Sequence, residues 1–202
     1  MNSIPSPNSL KNKTAGKKHH LSQFTAILVV GIAVVGLSPL LLASAQGNLE
    51  VRLKDHREAI GDFLRLDVSL DMVRIHPKAA PRKQGWLTLK PVREKIDLTK
   101  YTERHSASIF DGKVSIGSYD AIDLKLKEIE GILKKSKAKM PVTNLLGPIR
   151  LMFSLEQKEA TLIVLDLAVM DMSDQPGRGY ELHIKGYELY TGGQLMEKVP
   201  PG

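Results

Sequence analysis

From residue 47 onward this chain alternates apolar and polar residues with a period of two and settles into no convincing helical period. In "NLEVRLK", Leu49, Val51 and Leu53 fall on one side, while Glu50, Arg52 and Lys54 fall on the other. Successive side chains of a strand point to opposite faces, so this pattern commits the segment to a sheet with one buried face. "DFLRLDVSLDMVRIH" continues it with Leu64, Leu66, Val68, Leu70 and Met72, after which Val73 and Ile75 form the next apolar pair. A phase shift inside one strand predicts a β-bulge, or a strand passing from one sheet to another.

The later segments behave alike. "WLTL" is a short strand, and "REKIDL" sets Ile96 and Leu98 on one face. "YDAIDLKLKEI" points Ile122, Leu124 and Leu126 inward and Asp123, Lys125 and Lys127 outward. "IRLMFSL" and "YELHIKGYEL" alternate again. Residues 99–118 read as irregular, punctuated by Gly112 and Gly117. "LKEIEGILKK" is the nearest rival for a helix, and Gly131 interrupts it. "ATLIVLDLAVM" is apolar on both faces apart from Thr161 and Asp166, which predicts a central strand covered on both sides. Eight to ten short strands separated by Gly and Pro turns predict an all-β fold, an antiparallel β-sandwich over residues 46–190. Residues 191–202 read as a flexible C-terminal tail.

Residues 1–23 are polar and basic and read as a disordered tail. The next 19 residues, Phe24 to Leu42, carry no charge. At about 1.5 Å per residue a helix of that length reaches roughly 28 Å, close to the hydrocarbon thickness of a bilayer. A cytosolic core helix needs a polar face, and this run has none. One hydrophobic N-terminal helix over residues 24–45, serving export or membrane insertion, is therefore expected. Lys11, Lys13, Lys17 and Lys18 precede the run and no acid occurs before Glu50, which places the N-terminus in the cytoplasm and everything after Ala45 outside. Ser38-Pro39 breaks the helix near its end, and Ala43 and Ala45 occupy the two positions a signal peptidase reads. Cleavage after Ala45 is the expectation. The length of the apolar run keeps the alternative of an uncleaved anchor in the inner membrane through Phe24–Leu42. The expected location is periplasmic, extracellular or anchored with the C-terminal domain outside.

The formal net charge of +7 points to nucleic acid at first sight, but removing those four of the 29 basic residues leaves 25 against 22 acidic ones. The basicity belongs largely to the leader, so no nucleic-acid partner is expected. The absence of cysteine excludes disulfides, thiolate metal sites and cysteine nucleophiles.

The ordered set of strands resembles the family catalogued as domain of unknown function 4382, found in exported bacterial and archaeal proteins. The shared features run from "GNLEVRLKD" through "VRIH", "GWLTL" and the "IDLTK" segment with Asp97 to Gly117-Ser118-Tyr119 before "DAIDLKL" and "TLIVLDL" with Asp166. They cover nearly all of residues 47–190. The resemblance implies a transthyretin-like or related Greek-key sandwich and carries over no catalytic residue. Members commonly have a small residue and a proline after the first Asp, where this chain has "DHREAIGDF".

Several residues invite chemistry. His56 follows Asp55 at a strand end and His76 precedes Pro77, but no H-x-H or H-E-x-x-H spacing exists, so surface or turn positions are expected and no metal or cofactor is assigned. His183 shares an outward, solvated face with Glu181 and Lys185. Asp171 and Asp174 sit at a strand end, where Asp favours turns. Asp166, inside an apolar strand, must be hydrogen-bonded, paired with a base or facing out. Trp86, the sole tryptophan, reads as a core or edge anchor, with stacking on a sugar as the sharper alternative. The turn "KKSKAK" places Lys134, Lys135, Lys137 and Lys139 together as a candidate anionic-surface site, near headgroups if the anchor is retained. The functional expectation is an exported cell-envelope module with a non-enzymatic binding or structural role, meeting an envelope polysaccharide, lipid or protein. The alternative is a periplasmic enzyme or metal-dependent accessory using the strand-end His and Asp residues.

Overall fold

The computed structural model describes residues 45–81 and 83–199. The basic tail, the apolar run Phe24–Leu42 and Ala43 lie outside the described residues, as do residues 200–202 at the C-terminus. Among the described residues no helix is long and apolar enough to cross a membrane.

The alternation folds as read. β1 (Gln46–Asp55) buries Leu49, Val51 and Leu53 completely. Each contributes roughly 1.5–3 kcal/mol by leaving water. β2 (Phe63–Pro77) carries the bulges that its phase shift predicts, with register breaks on either side of Leu70. A further break between Phe63 and Arg65 turns Phe63 inward and leaves Leu64 51% exposed, contrary to the simple alternation. β3 (Leu87–Leu89) and β4 (Lys95–Asp97) flank β2. β5 (Ala107–Ser115) occupies a stretch expected to be irregular. A bulge opposite Val51 and Arg52, and a glycine at 112 over which the Phe110 ring lies, mask its period.

β6 (Gly117–Leu133) runs unbroken through the would-be helix. It is followed by β7 (Lys139–Asn144), β8 (Ile149–Leu155), β9 (Ala160–Asp171), β10 (Tyr180–Thr191) and β11 (Gln194–Val199). β11 replaces most of the expected flexible tail. It pairs with β10 across the Gly192-Gly193 turn, and the Tyr187 hydroxyl donates to Glu197 Oε1 (2.9 Å).

The fold is all-β. Its strand order is β3-β2-β6-β7-β10-β9-β1-β5, with β4, β8 and β11 attached to β2, β6 and β10, and the sheet curls until nearly closed, like a barrel. Pairing is not wholly antiparallel, as the sequence reading had it: β1 lies parallel to β9, and β7 parallel to β10. β9 is the expected doubly covered strand, between β1 and β10.

The ladders define two ends. At the near end the Ile116 amide donates to the Ala45 carbonyl (3.0 Å), Gln46 pairs with Ser115, and Asn48 with Ala160. β1 then runs to Asp55, nine residues or about 30 Å away. At this far end a 3-10 turn, Ala59–Asp62, leads into β2, and the Lys134 amide donates to the Asp62 carbonyl (2.7 Å).

Candidate functional site

The far end gathers most of the charged groups that the sequence singles out. Asp55, the last residue of β1, is fully buried; one carboxylate oxygen accepts from the Arg57 amide (2.8 Å) and the other has no partner. Burial pushes its pKa up to about 6; the Arg57 amide opposes the rise and the Asp166 charge adds to it. Asp166 is paired, as its apolar setting requires: Oδ2 lies 3.3 Å from His56 Nδ1 and 3.7 Å from Lys54 Nζ. Its Oδ1 is buried without a partner. Lys54 also reaches Glu188 (3.1 Å), which Lys198 meets at 3.1 Å. Arg57 and Glu103 pair across the mouth of the cleft, both with left-handed backbone (φ 74° and 59°). Such a conformation costs a non-glycine residue about 1 kcal/mol, a cost the surrounding contacts hold in place. The cleft between these groups is about 260 Å³. Among the described residues no three or more His, Asp or Glu side chains come together as metal ligands.

Beside it stands the basic turn. Leu133 and Ala138 close it through a backbone hydrogen bond (3.0 Å), Lys137 takes a left-handed φ of 58°, and the Ser136 hydroxyl accepts from the Ala138 amide (3.3 Å). Lys134, Lys135 and Lys137 are exposed and have no acidic partner among the described residues; Lys139 leans on Glu130 (3.4 Å). Lys134 and Arg57 line a shallow depression of about 410 Å³ with Gly61, Leu64, Thr99 and Thr102. The turn is thus at the end of the fold opposite Ala45.

A second cluster lies toward the near end. His76 is not a surface residue, as the sequence reading placed it, but 2% exposed. The segment after Pro77 folds back over it: Nε2 faces the Pro81 carbonyl (3.2 Å) and Nδ1 faces Asp120 (2.7 Å). Both partners are acceptors, and the Asp120 hydrogen bond is the main cause of the imidazole's raised pKa, against which burial works. Trp86 lies against it, ring centroids 5.2 Å apart, with the Arg74 guanidinium 5.1 Å from the indole centroid. Arg74 in turn pairs with Asp123, which is fully buried rather than outward as the alternation predicts. Asp120, Arg74 and Arg150 were not singled out as partners of His76 and Trp86, because no sequence spacing joins β2, β6 and β8.

The remaining candidates are structural. Glu181 is 5% exposed rather than solvated, and Arg178 and then His183 hold its carboxyl below the usual range. Asp171 accepts from the Ser173 amide (2.9 Å), a turn role as expected. Ala45 is described, immediately before β1, while Ala43 is not.

Comparison with known proteins gives one finding. The family model described as "Domain of unknown function (DUF4382)" matches residues 46–183. No curated protein and no solved structure matches.

Proposed function

The chain belongs to the family whose model it matches, and from the chain's own geometry we propose that it is an exported cell-envelope module that binds an anionic partner with the far end of its sheet. The observation that carries this reading is the position of Lys134, Lys135 and Lys137: exposed, unpaired with any acid among the described residues, and at the opposite end of the fold from Ala45. A domain held or released at Ala45 presents these cations away from its point of attachment. The partner is a polyanionic envelope surface, polysaccharide or lipid, and the role is binding rather than catalysis. The apolar run Phe24–Leu42 and the small residues Ala43 and Ala45 support export through the inner membrane. We read the strand groups around β1-β9-β10 and β2-β6 as the two leaves of a transthyretin-like Greek-key sandwich. The shared cluster of their inward side chains supports that reading.

Because the chain lacks cysteine, a Lys137→Cys variant carries one thiol. Expressed with its leader in a bacterial host, it reacts with a membrane-impermeant maleimide in cells with a permeabilised outer membrane and intact inner membrane. Protection until the inner membrane is lysed contradicts export. A second reading, an enzyme using Asp55, draws on that buried carboxyl, whose pKa is raised to about 6. It predicts that Asp55→Asn abolishes a turnover which the basic-turn variants retain.

A further inference from the structure

The cleft beside His76 has the makings of a ligand site that the anionic-surface reading does not use. It holds about 180 Å³ and is lined by His76, Trp86, Asp120, Ala121, Pro148 and Arg150. Drug-sized pockets are typically larger, so this one suits a single small ring. Three features set its chemistry. One wall is the indole of Trp86, steadied from within by His76 and by the Arg74 guanidinium. Pro148 and Ala121 add apolar surface. Arg150 is exposed and has no acidic partner among the described residues, so its five donors remain available. The one carboxylate in the lining, Asp120, already faces His76 Nδ1 (2.7 Å) and makes no ion pair with the guanidinium.

An apolar wall with a free guanidinium beside it fits a ring that has a C–H face and a carboxylate. Neutral sugars satisfy only the wall, and simple carboxylates only the arginine. We propose that this cleft binds one uronic acid residue of an acidic polysaccharide, the pyranose stacked on Trp86 and its carboxylate paired with Arg150. A bidentate guanidinium–carboxylate pair supplies orientation, and the indole face supplies contact area. The His76–Asp120 pair forms the cleft's inner wall and positions the indole. Along β6, Ala121 at the cleft and Leu133 at the basic turn are twelve residues apart, about 40 Å at ~3.3 Å per residue. The two sites are therefore separate, and this inference stands without the anionic-surface reading.

Trp86 is the only tryptophan, so indole emission, excited selectively over the tyrosines, reports this cleft. Titration with glucuronate or galacturonate is expected to give a saturable change with a Kd on the order of 1 mM, the strength of one small ring on an open surface. Glucose is expected to bind at least about fivefold more weakly, and acetate to give no saturable change. Arg150→Ala, its fold verified by circular dichroism, is expected to lose the preference for the uronate while keeping the weak response to glucose. Saturation-transfer NMR on Trp86→Ala, with Trp86→Phe as the aromatic control, reads the stacking without fluorescence: transfer to the sugar ring protons disappears in the first and persists in the second. No saturable change with either uronate overturns the proposal, as does an equal response to acetate or an unchanged uronate preference in Arg150→Ala. Lys134→Ala/Lys135→Ala/Lys137→Ala leaves the uronate response intact, so failure here and failure of the anionic-surface reading are told apart.

Discussion

Gly131 lies directly beneath the Phe63 ring: a Cβ placed on it would stand 2.3 Å from Phe63 Cε1 and 3.0 Å from the Met140 carbonyl oxygen. This glycine lets β6 continue through "LKEIEGILKK" as a strand while Phe63 turns inward at the start of β2 to meet Tyr180 edge-on, centroids 4.8 Å apart. Gly131→Ala is therefore expected to destabilise the protein by about 2 kcal/mol, the usual cost of overpacking, in urea unfolding. In a Phe63→Leu background the same substitution costs much less, and an equal cost in both backgrounds refutes the contact.

Asp55 sets a pH dependence of a particular sign. Its folded pKa of about 6 lies above the ordinary value of 3.8. Below both values the folded and unfolded states each hold the proton, and between them the folded state holds more. Stability from this group is therefore full at low pH and falls as pH rises through that window, by on the order of 3 kcal/mol. Asp55→Asn cannot titrate. The difference in unfolding free energy between the native protein and this variant, measured from pH 3 to pH 8, should decline between about 4 and 6 and flatten above. A flat difference across that range contradicts the assignment.

Asp123 is buried under Arg74 and Lys125, the latter at 3.2 Å. Asp123→Ala leaves the half-buried guanidinium without its partner and is expected to cost about 3 kcal/mol. The change also frees Arg74 from its place over the indole, so the emission of Trp86 shifts. If the melting temperature and emission maximum of the variant both match those of the native protein, the pair carries no such weight.

Alternation located most of the sheet because burial and strand period coincide in strands such as β1 and β8, where Leu49 and Leu151 are buried, while the unbroken apolar run of β9 marked a strand buried on both faces. It failed where geometry outside the strand decides. β5 is disguised by its bulge and by Gly112, and β11 is a hairpin partner with no buried side chain to announce it. The sites were less legible. The turn of lysines is contiguous and could be read directly, and Asp166 in an apolar run required a partner that Lys54 and His56 provide. His76 reads as a strand-end surface residue until the Pro81 segment covers it, and Asp120 and Arg150 reach its cleft from two other strands. The parallel pairing of β1 with β9 brings Asp166 level with Lys54, a neighbourhood no local pattern encodes.

His56 and Asp166 hold each other beside the basic turn without belonging to it. His56→Ala and Asp166→Ala are expected to leave binding to an anionic surface within about twofold once folding losses are corrected. Retention on immobilised polyanion is the measurement. A tenfold loss in either variant transfers the binding role from the lysines to the Asp55–Asp166 cleft.

The central claim rests on three side chains, and co-sedimentation with anionic surfaces tests it most directly. The full-length protein and its Lys134→Ala/Lys135→Ala/Lys137→Ala variant are each mixed with particles of a uronate-free acidic polysaccharide and with anionic and neutral lipid vesicles, over a range of salt. The account predicts that the native protein binds an anionic surface, that binding weakens as salt rises, and that the variant binds at least about tenfold more weakly. Equal binding by the two proteins, or binding that ignores salt and surface charge, contradicts it.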